Sequence, residues 1–174
     1  MRAGRLIMTL PAEDPEELAG HVRAHIPRLS PGAVREALAS LWRDQRACAL
    51  EIPGSLATLR TLKAAGLRLG VISNIWHPFF EGFLAACPGV SELLDHVVLS
   101  YRVGEKKPSE ALFREALRRA GQPPEHCWMV GDTFELDMAP AARCGMRTLW
   151  VLARPEKERE TLARLEAVVN EFRL

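Results

Sequence analysis

Two carboxylates stand five positions apart in Trp128-Met129-Val130-Gly131-Asp132-Thr133-Phe134-Glu135-Leu136-Asp137. Apolar residues lead up to Gly131, and an alanine-rich stretch runs from Leu136 to Cys144 before Gly145. This order predicts a buried strand, a tight turn and a helix with acid in its first turn. Carboxylates at the carboxyl end of a parallel strand lie where open α/β sheets bind ligands. An oxygen-only pair such as Asp132 and Asp137 suits Mg²⁺, which usually takes one or two carboxylates with waters and a substrate phosphate. The same residues also have a local role open to them: Asp132 capping the helix, and Asp137 in its first turn, where negative charge is favourable.

Two other stretches carry groups that can meet an anion. In Val71-Ile72-Ser73-Asn74 a hydroxyl and the backbone N–H groups of a turn follow an apolar run, and such groups can bind a phosphoryl oxygen. In Gly104-Glu105-Lys106-Lys107-Pro108 a lysine aimed into a site supplies a compact positive charge. An ordinary polar turn and a solvated lysine pair are the competing accounts. Trp76, His77, Pro78 and Phe79 either wall a pocket next to Ser73 or begin a helix that packs on neighbouring helices.

These groups need elements to hold them. Past Pro53-Gly54 the pattern alternates helix and strand, the mark of a parallel α/β sheet. Strands are predicted over 67–72, 96–100, 127–131 and 147–152. Helices are predicted around Leu56, Leu59 and Leu62, over 77–87, and over 109–120 with Leu112, Phe113, Ala116 and Leu117 inward. Upstream, Asp14-Pro15-Glu16-Glu17 signals a helix start, with Leu18, Val22 and Ile26 at helical spacing. Ser30-Pro31 starts a second helix, with Val34, Leu38, Leu41 and Trp42 on one face. Residues 5–10 (RLIMTL) form a short apolar run expected as a strand. Residues 155–172 read as an amphipathic helix with its stripe packed on the domain. The expected organisation is a partial helical cap over 1–50 with an N-terminal strand, a core over 51–154, and a C-terminal helix over 155–174.

Composition narrows the class. At 174 residues and 48% hydrophobic the chain can bury a real core. A net charge of +1 with scattered Lys and Arg gives no electrostatic case for nucleic acid or an anionic membrane surface. Cys48, Cys87, Cys127 and Cys144 stand far apart without a C-x-x-C, which fits a reducing, cytoplasmic setting. No apolar run reaches membrane-spanning length.

In this order and on this alternation, the three stretches resemble the haloacid dehalogenase superfamily of phosphatases and related hydrolases. Ser73 matches its second motif, a Ser or Thr after a strand. Lys107 and Pro108 match its third, G-x-x-K-P, and Asp132 and Asp137 its fourth, G-D-x-x-x-x-D. The resemblance covers 52–152. It implies an α/β fold with a Rossmann-like parallel sheet, a helical cap inserted after the first strand, Mg²⁺, and hydrolysis of a small phosphomonoester. It implies that Ser73 and the Asn74 backbone hold phosphoryl oxygens and that Lys107 neutralises charge. Asp132 would ligate Mg²⁺ with Asp137 in support, which makes Lys107 and Asp132 the expected catalytic pair.

The family's first motif, D-x-D-x-T, is absent from the sequence. Thr9-Leu10 matches only its end, and in that register Arg5 and Ile7 stand where the two Asp belong. One of those acids is the nucleophile and the other the general acid/base. Without the nucleophile no covalent phosphoenzyme forms, and Mg²⁺ loses a direct ligand, so weak or absent Mg²⁺ binding and no turnover are expected. In the family the motif-one strand lies between the strands of motifs two and four. Residues 5–10 are therefore expected either to fill that position, with Arg5 opposite Asp132, or to be poorly ordered while the sheet closes without them. Three accounts stay open, in this order: motif one lies upstream of Met1, the chain is a silent binding or regulatory module, or a partner chain supplies the strand. The sequence carries no signal for a particular substrate or oligomeric state.

Overall fold

The computed structural model describes residues 6–151. Asp14 caps the first helix, α1 (Pro15–His25). Its Oδ1 accepts from the backbone N–H of Glu16 at 2.9 Å and of Glu17 at 2.8 Å, which satisfies two donors that a helix start leaves without partners. The return arm of the cap lands one residue early: Glu17 Oε2 accepts from the N–H of Glu13. Helix α2 (Pro31–Ala47) follows, with proline in its first turn. Leu18, Ala19 and Val22 of α1 and Val34, Leu38 and Trp42 of α2 share one apolar cluster with Leu6, Ala12 and Trp76. Leu41 lies off that face and is 39% exposed, contrary to its expected inward place.

The expected strand over 5–10 is not there. Leu6 and Ile7 are helical and Met8 and Thr9 form a turn. Thr9 donates to the Leu6 carbonyl through both its N–H and its hydroxyl. A short apolar run does not distinguish strand from buried helix. Here Leu6 is 5% exposed against α1 and α2, with Leu10 packed on the same cluster. The segment neither fills a sheet position nor lies loose. Arg5 and the stripe over 155–172 fall outside the described residues.

Contacts group the chain up to Gly121 in one unit and from Gln122 onward in a second. The first unit continues with α3 (Ser55–Ala64), β1 (Gly70–Ser73), α4 (His77–Ala86), α5 (Val90–Leu93), β2 (His96–Leu99), α6 (Ser100–Val103) and α7 (Glu110–Ala120). β1 and β2 pair in parallel, from Gly70 opposite His96 to Ser73 opposite Leu99. Strand β2 ends one residue before the predicted limit, because Ser100 opens α6. Ser109 caps α7, which buries Leu112, Phe113 and Ala116 as predicted; Leu112 and Ala116 pack with Val98 of β2. Helix α3 buries none of its residues.

The second unit contains β3 (Trp128–Gly131), a π-helical turn (Phe134–Met138), α8 (Ala139–Arg143) and β4 (Arg147–Trp150). β3 and β4 are again parallel, with Trp128 opposite Arg147 and Gly131 opposite Trp150. Met129 faces inward, while Trp128 is 56% and Val130 53% exposed, so β3 is buried on one face only. The fold is α/β with parallel strands, as the sequence predicts, but among the described residues the strands form two separate pairs.

Close packing in the first pair makes a pH-sensitive point. A Cβ at residue 70 would overlap the His96 ring on the neighbouring strand, so only glycine fits there. His96 Nδ1 is buried with no hydrogen-bond partner. Burial holds this imidazole below its ordinary value of 6.5, with the Arg68 charge adding to the effect and Asp95 opposing it. The unfolded chain therefore takes up the proton at higher pH than the folded protein does. Stability held by neutral His96 is complete above about pH 6.5 and is lost as pH falls through the lower folded-state value. Denaturant titrations near pH 8 and near pH 5 should show lower stability at the acid end, and His96→Gln should shrink that difference. An unchanged difference in the variant would assign the acid sensitivity to other groups.

Candidate phosphate and metal site

Ser73 is the last residue of β1, and the chain leaves the sheet at Asn74. The Asn74 side chain turns to the loop before α7. Its Oδ1 accepts the Lys107 N–H at 2.6 Å and its Nδ2 donates to the Lys107 carbonyl at 3.1 Å. The next residue is held from the other strand. Ser100, fully buried after β2, accepts from the Ile75 N–H at 3.0 Å and donates to the Ile75 carbonyl at 2.8 Å. The structure thus brings Ser73, Asn74 and Lys107 into one neighbourhood at the carboxyl end of a parallel strand pair. Sequence reasoning missed Ser100; its only signal was a hydroxyl as the last residue of a predicted strand.

Trp76 and His77 begin α4 and pack on α2. Trp42 meets Trp76 edge to face, with centroids 5.5 Å apart, and stacks on His77 at 5.7 Å. Trp76 Nε1 donates to Gln45 Oε1 at 3.4 Å. His77 Nδ1 lies 3.1 Å from the Tyr101 hydroxyl and its Nε2 3.5 Å from Glu81. Burial pushes the Tyr101 phenol above its ordinary value, against the pull of the Arg102 guanidinium over its ring. Of the two roles open to this stretch, the structure shows the helix start, packed on α2.

In the second unit Asp132 follows β3 directly. The Thr133 hydroxyl donates to Asp132 Oδ1 at 3.2 Å, and Trp150 Nε1 donates to the Asp132 carbonyl at 3.2 Å. Asp137 is 4% exposed. Its N–H donates to the Thr133 carbonyl at 2.8 Å, and its Oδ2 accepts the Thr133 N–H at 3.2 Å, so the two residues clasp each other around the turn. The turn is wider than the α-helix predicted there: it is π-helical from Phe134 to Met138, a feature met frequently at functional sites. Gly131 explains itself sterically. A Cβ on it would lie 2.8 Å from Cβ, Cγ and Oδ2 of Asp137.

Asp132 and Asp137 are the carboxylates a hard cation would meet. Among the described residues, no three or more His, Cys, Asp or Glu side chains gather as a metal-binding group. Asp137 already accepts a backbone N–H. A cation here would rest on Asp132 with Asp137 behind it, and on water and substrate oxygens. That sparse set is the sort Mg²⁺ accepts.

Ser73 closes one strand of the first parallel pair, and Asp132 follows a strand of the second, in an α/β fold. The model of the haloacid dehalogenase-like hydrolases matches residues 8–145, and the chain belongs to that family. Over 100 residues it is 42% identical to a glyceraldehyde 3-phosphate phosphatase of Methanothermobacter thermautotrophicus, covering 57% of this chain and 43% of that protein. It is 28% identical over 136 residues to the pyrimidine 5'-nucleotidase YjjG of Escherichia coli, covering 78% of this chain and 58% of that one. The chain thus spans about half the length of these relatives. Its fold is similar to that of a haloacid dehalogenase family enzyme of Bacteroides thetaiotaomicron solved with magnesium and inorganic phosphate. The TM-score is 0.63 at 18% identity, over 87% of this chain and 76% of that one.

The Gly131–Asp137 contact predicts a sharp mutational effect. Gly131→Ala should destabilise the protein by roughly 1–3 kcal/mol, because the packed carboxylate must move. The same change at the open position Gly32, where nothing lies within 4 Å, should not overpack its surroundings. Urea titrations of both variants test this; equal effects would show that Asp137 yields without strain.

Proposed function

We propose that the chain carries the phosphate-holding and cation-holding parts of a Mg²⁺-dependent phosphomonoesterase. Its substrate would be a small phosphorylated molecule, and the chain as given would be catalytically silent because it has no nucleophilic Asp. The observation that carries this reading is the double hydrogen bond from Asn74 to Lys107, which ties the Ser73 loop to the lysine loop. The phosphatase and nucleotidase relatives support the substrate class.

In this reading the Ser73 hydroxyl and the Asn74 backbone N–H donate to phosphoryl oxygens. The Lys107 ammonium offsets the charge on those oxygens, as positioned cations do in phosphoryl transfer. Asp132 ligates Mg²⁺ and Asp137 fixes the turn that presents it. Bound Mg²⁺ would supply a compact positive charge beside Asp132. In the same reading the helices over residues 6–50 act as a partial helical cap; the helix expected over 155–174 lies outside the described residues. The reading includes a reducing, cytoplasmic setting, supported by four scattered cysteines without a C-x-x-C; no described helix is long and apolar enough to cross a membrane.

A silent regulatory or binding module of the same fold is the second reading, favoured by Arg5 and Ile7 where the family has acids. Both readings predict turnover on generic phosphomonoesters below about 1 s⁻¹, the low end for ordinary enzymes. They part on a variant in which residues 5–9 are replaced by the family's D-x-D-x-T: a competent site gains Mg²⁺-dependent hydrolysis that Asp132→Asn abolishes. Calorimetry with orthophosphate and Mg²⁺ gives the direct test on the native chain. Binding should be weak and should disappear in Lys107→Ala and Ser73→Ala. Steady hydrolysis above that rate by the unaltered chain, lost in Asp132→Asn, would overturn the silent state and demand another nucleophile.

A further inference from the structure

We infer that Asn74 is a positioning residue for Lys107, acting through the lysine's backbone and not on the ligand through its own side chain. The inference rests on the proposed role of Ser73 and Lys107 and adds the part that sets their spacing. A carboxamide presents one acceptor atom and one donor atom, and Asn74 uses each on the same residue, 33 positions away. Its Oδ1 takes the Lys107 N–H at 2.6 Å and its Nδ2 meets the Lys107 carbonyl at 3.1 Å. Because one partner only donates and the other only accepts, the amide has a single orientation.

This tie matters because of what lysine is. Its charge sits at the end of a flexible four-carbon stem, so the place of the ammonium depends first on where the backbone starts it. The ends of the lysine loop are fixed elsewhere: Gly104 donates to the Ser100 carbonyl at 2.9 Å and Ser109 to the Lys106 carbonyl at 2.9 Å. The middle, at Lys107, is tied by Asn74 to the end of β1. Asn74 is covalently adjacent to Ser73, so the same short segment sets the position of the hydroxyl and of the lysine backbone. Ser100 repeats the device on Ile75 and keeps the segment from swinging about β1.

The test compares wild type with Asn74→Ala, Asn74→Asp and Ser73→Ala. Two quantities are read: amide hydrogen exchange at Lys107, and the rate at which acetic anhydride acylates Lys107 relative to Lys106, with and without inorganic phosphate. In wild type, phosphate should slow acylation of Lys107 but not of Lys106. Asn74→Ala should speed Lys107 amide exchange about tenfold, the loss of one buried hydrogen bond. It should also change the phosphate-free acylation ratio and remove the phosphate effect. Asn74→Asp keeps the acceptor for the N–H but sets a carboxylate oxygen against the Lys107 carbonyl. It should therefore restore amide protection without restoring the phosphate effect, a split that general loosening of the loop would not give. Ser73→Ala should lose the phosphate effect with Lys107 amide exchange unchanged. Unchanged exchange and an unchanged phosphate-free acylation ratio in Asn74→Ala overturn the inference. If phosphate fails to slow Lys107 acylation in wild type, the proposed site fails, while the phosphate-free readings still decide whether Asn74 positions the lysine.

Discussion

No side chain fits at residue 82. A Cβ there would overlap the Arg46 carbonyl and crowd the Ala49 side chain, so Gly82 is what lets α4 lie directly against α2. That approach sets the first unit's geometry. It brings Trp42 within stacking distance of Trp76 and His77, and those two residues follow Ser73 by only three and four positions. Aromatic contacts of this type add about 0.5–1.5 kcal/mol each beyond simple burial. The loop that carries the hydroxyl is thus anchored from the helical side by aromatic packing, and from the strand side by Ser100 and Asn74. A site tied down from both sides has little freedom to misplace its polar groups.

The second unit reaches rigidity by another route. Its turn after β3 closes on the buried Asp137, which accepts from Thr133 while its own N–H donates back. Burying a carboxylate is costly unless hydrogen bonds satisfy it. The absence of a side chain at Gly131 gives the carboxylate its room. Asp132, next to Gly131, is then held at both ends: its carbonyl by Trp150 and its carboxylate by Thr133. The G-D-x-x-x-x-D spacing has a steric account: the first position must be small because the last one folds back onto it.

Elements governed by local rules were legible in the sequence. The Asp14 cap, the proline starts of α1 and α2 and the inward face of α7 follow from spacing and capping chemistry. So does the placement of Asp132 after a strand, while Ser73 closes β1 one residue beyond the predicted strand. What the sequence did not show depends on long-range partners. Residues 5–10 have the composition of a strand, yet Leu6 finds its partners on α1 and α2. The sequence assigns only the Asn74 backbone to an anion turn, and the use of its side chain on Lys107 depends on a loop 33 residues away. The widening of the turn at Phe134 likewise comes from Asp137 folding back, which no residue type announces.

Among the described residues no third strand joins either parallel pair. Unpaired strand edges are costly when water is excluded from them, at roughly 1–3 kcal/mol for each buried group. The residues of β1 and β3 are not all sealed in that way. Gly70 is exposed and the other three residues of β1 are half-buried; Trp128 and Val130 of β3 are more than half exposed. Large apolar side chains on and near the strands are exposed as well. Leu67, Trp128, Val130, Leu149 and Val151 stand open, although parallel sheets normally have both faces covered. Arg147 lies over the Trp128 ring at 5.6 Å and shields part of that surface. Apolar area left in water in this way forgoes about 25 cal/mol for each Å².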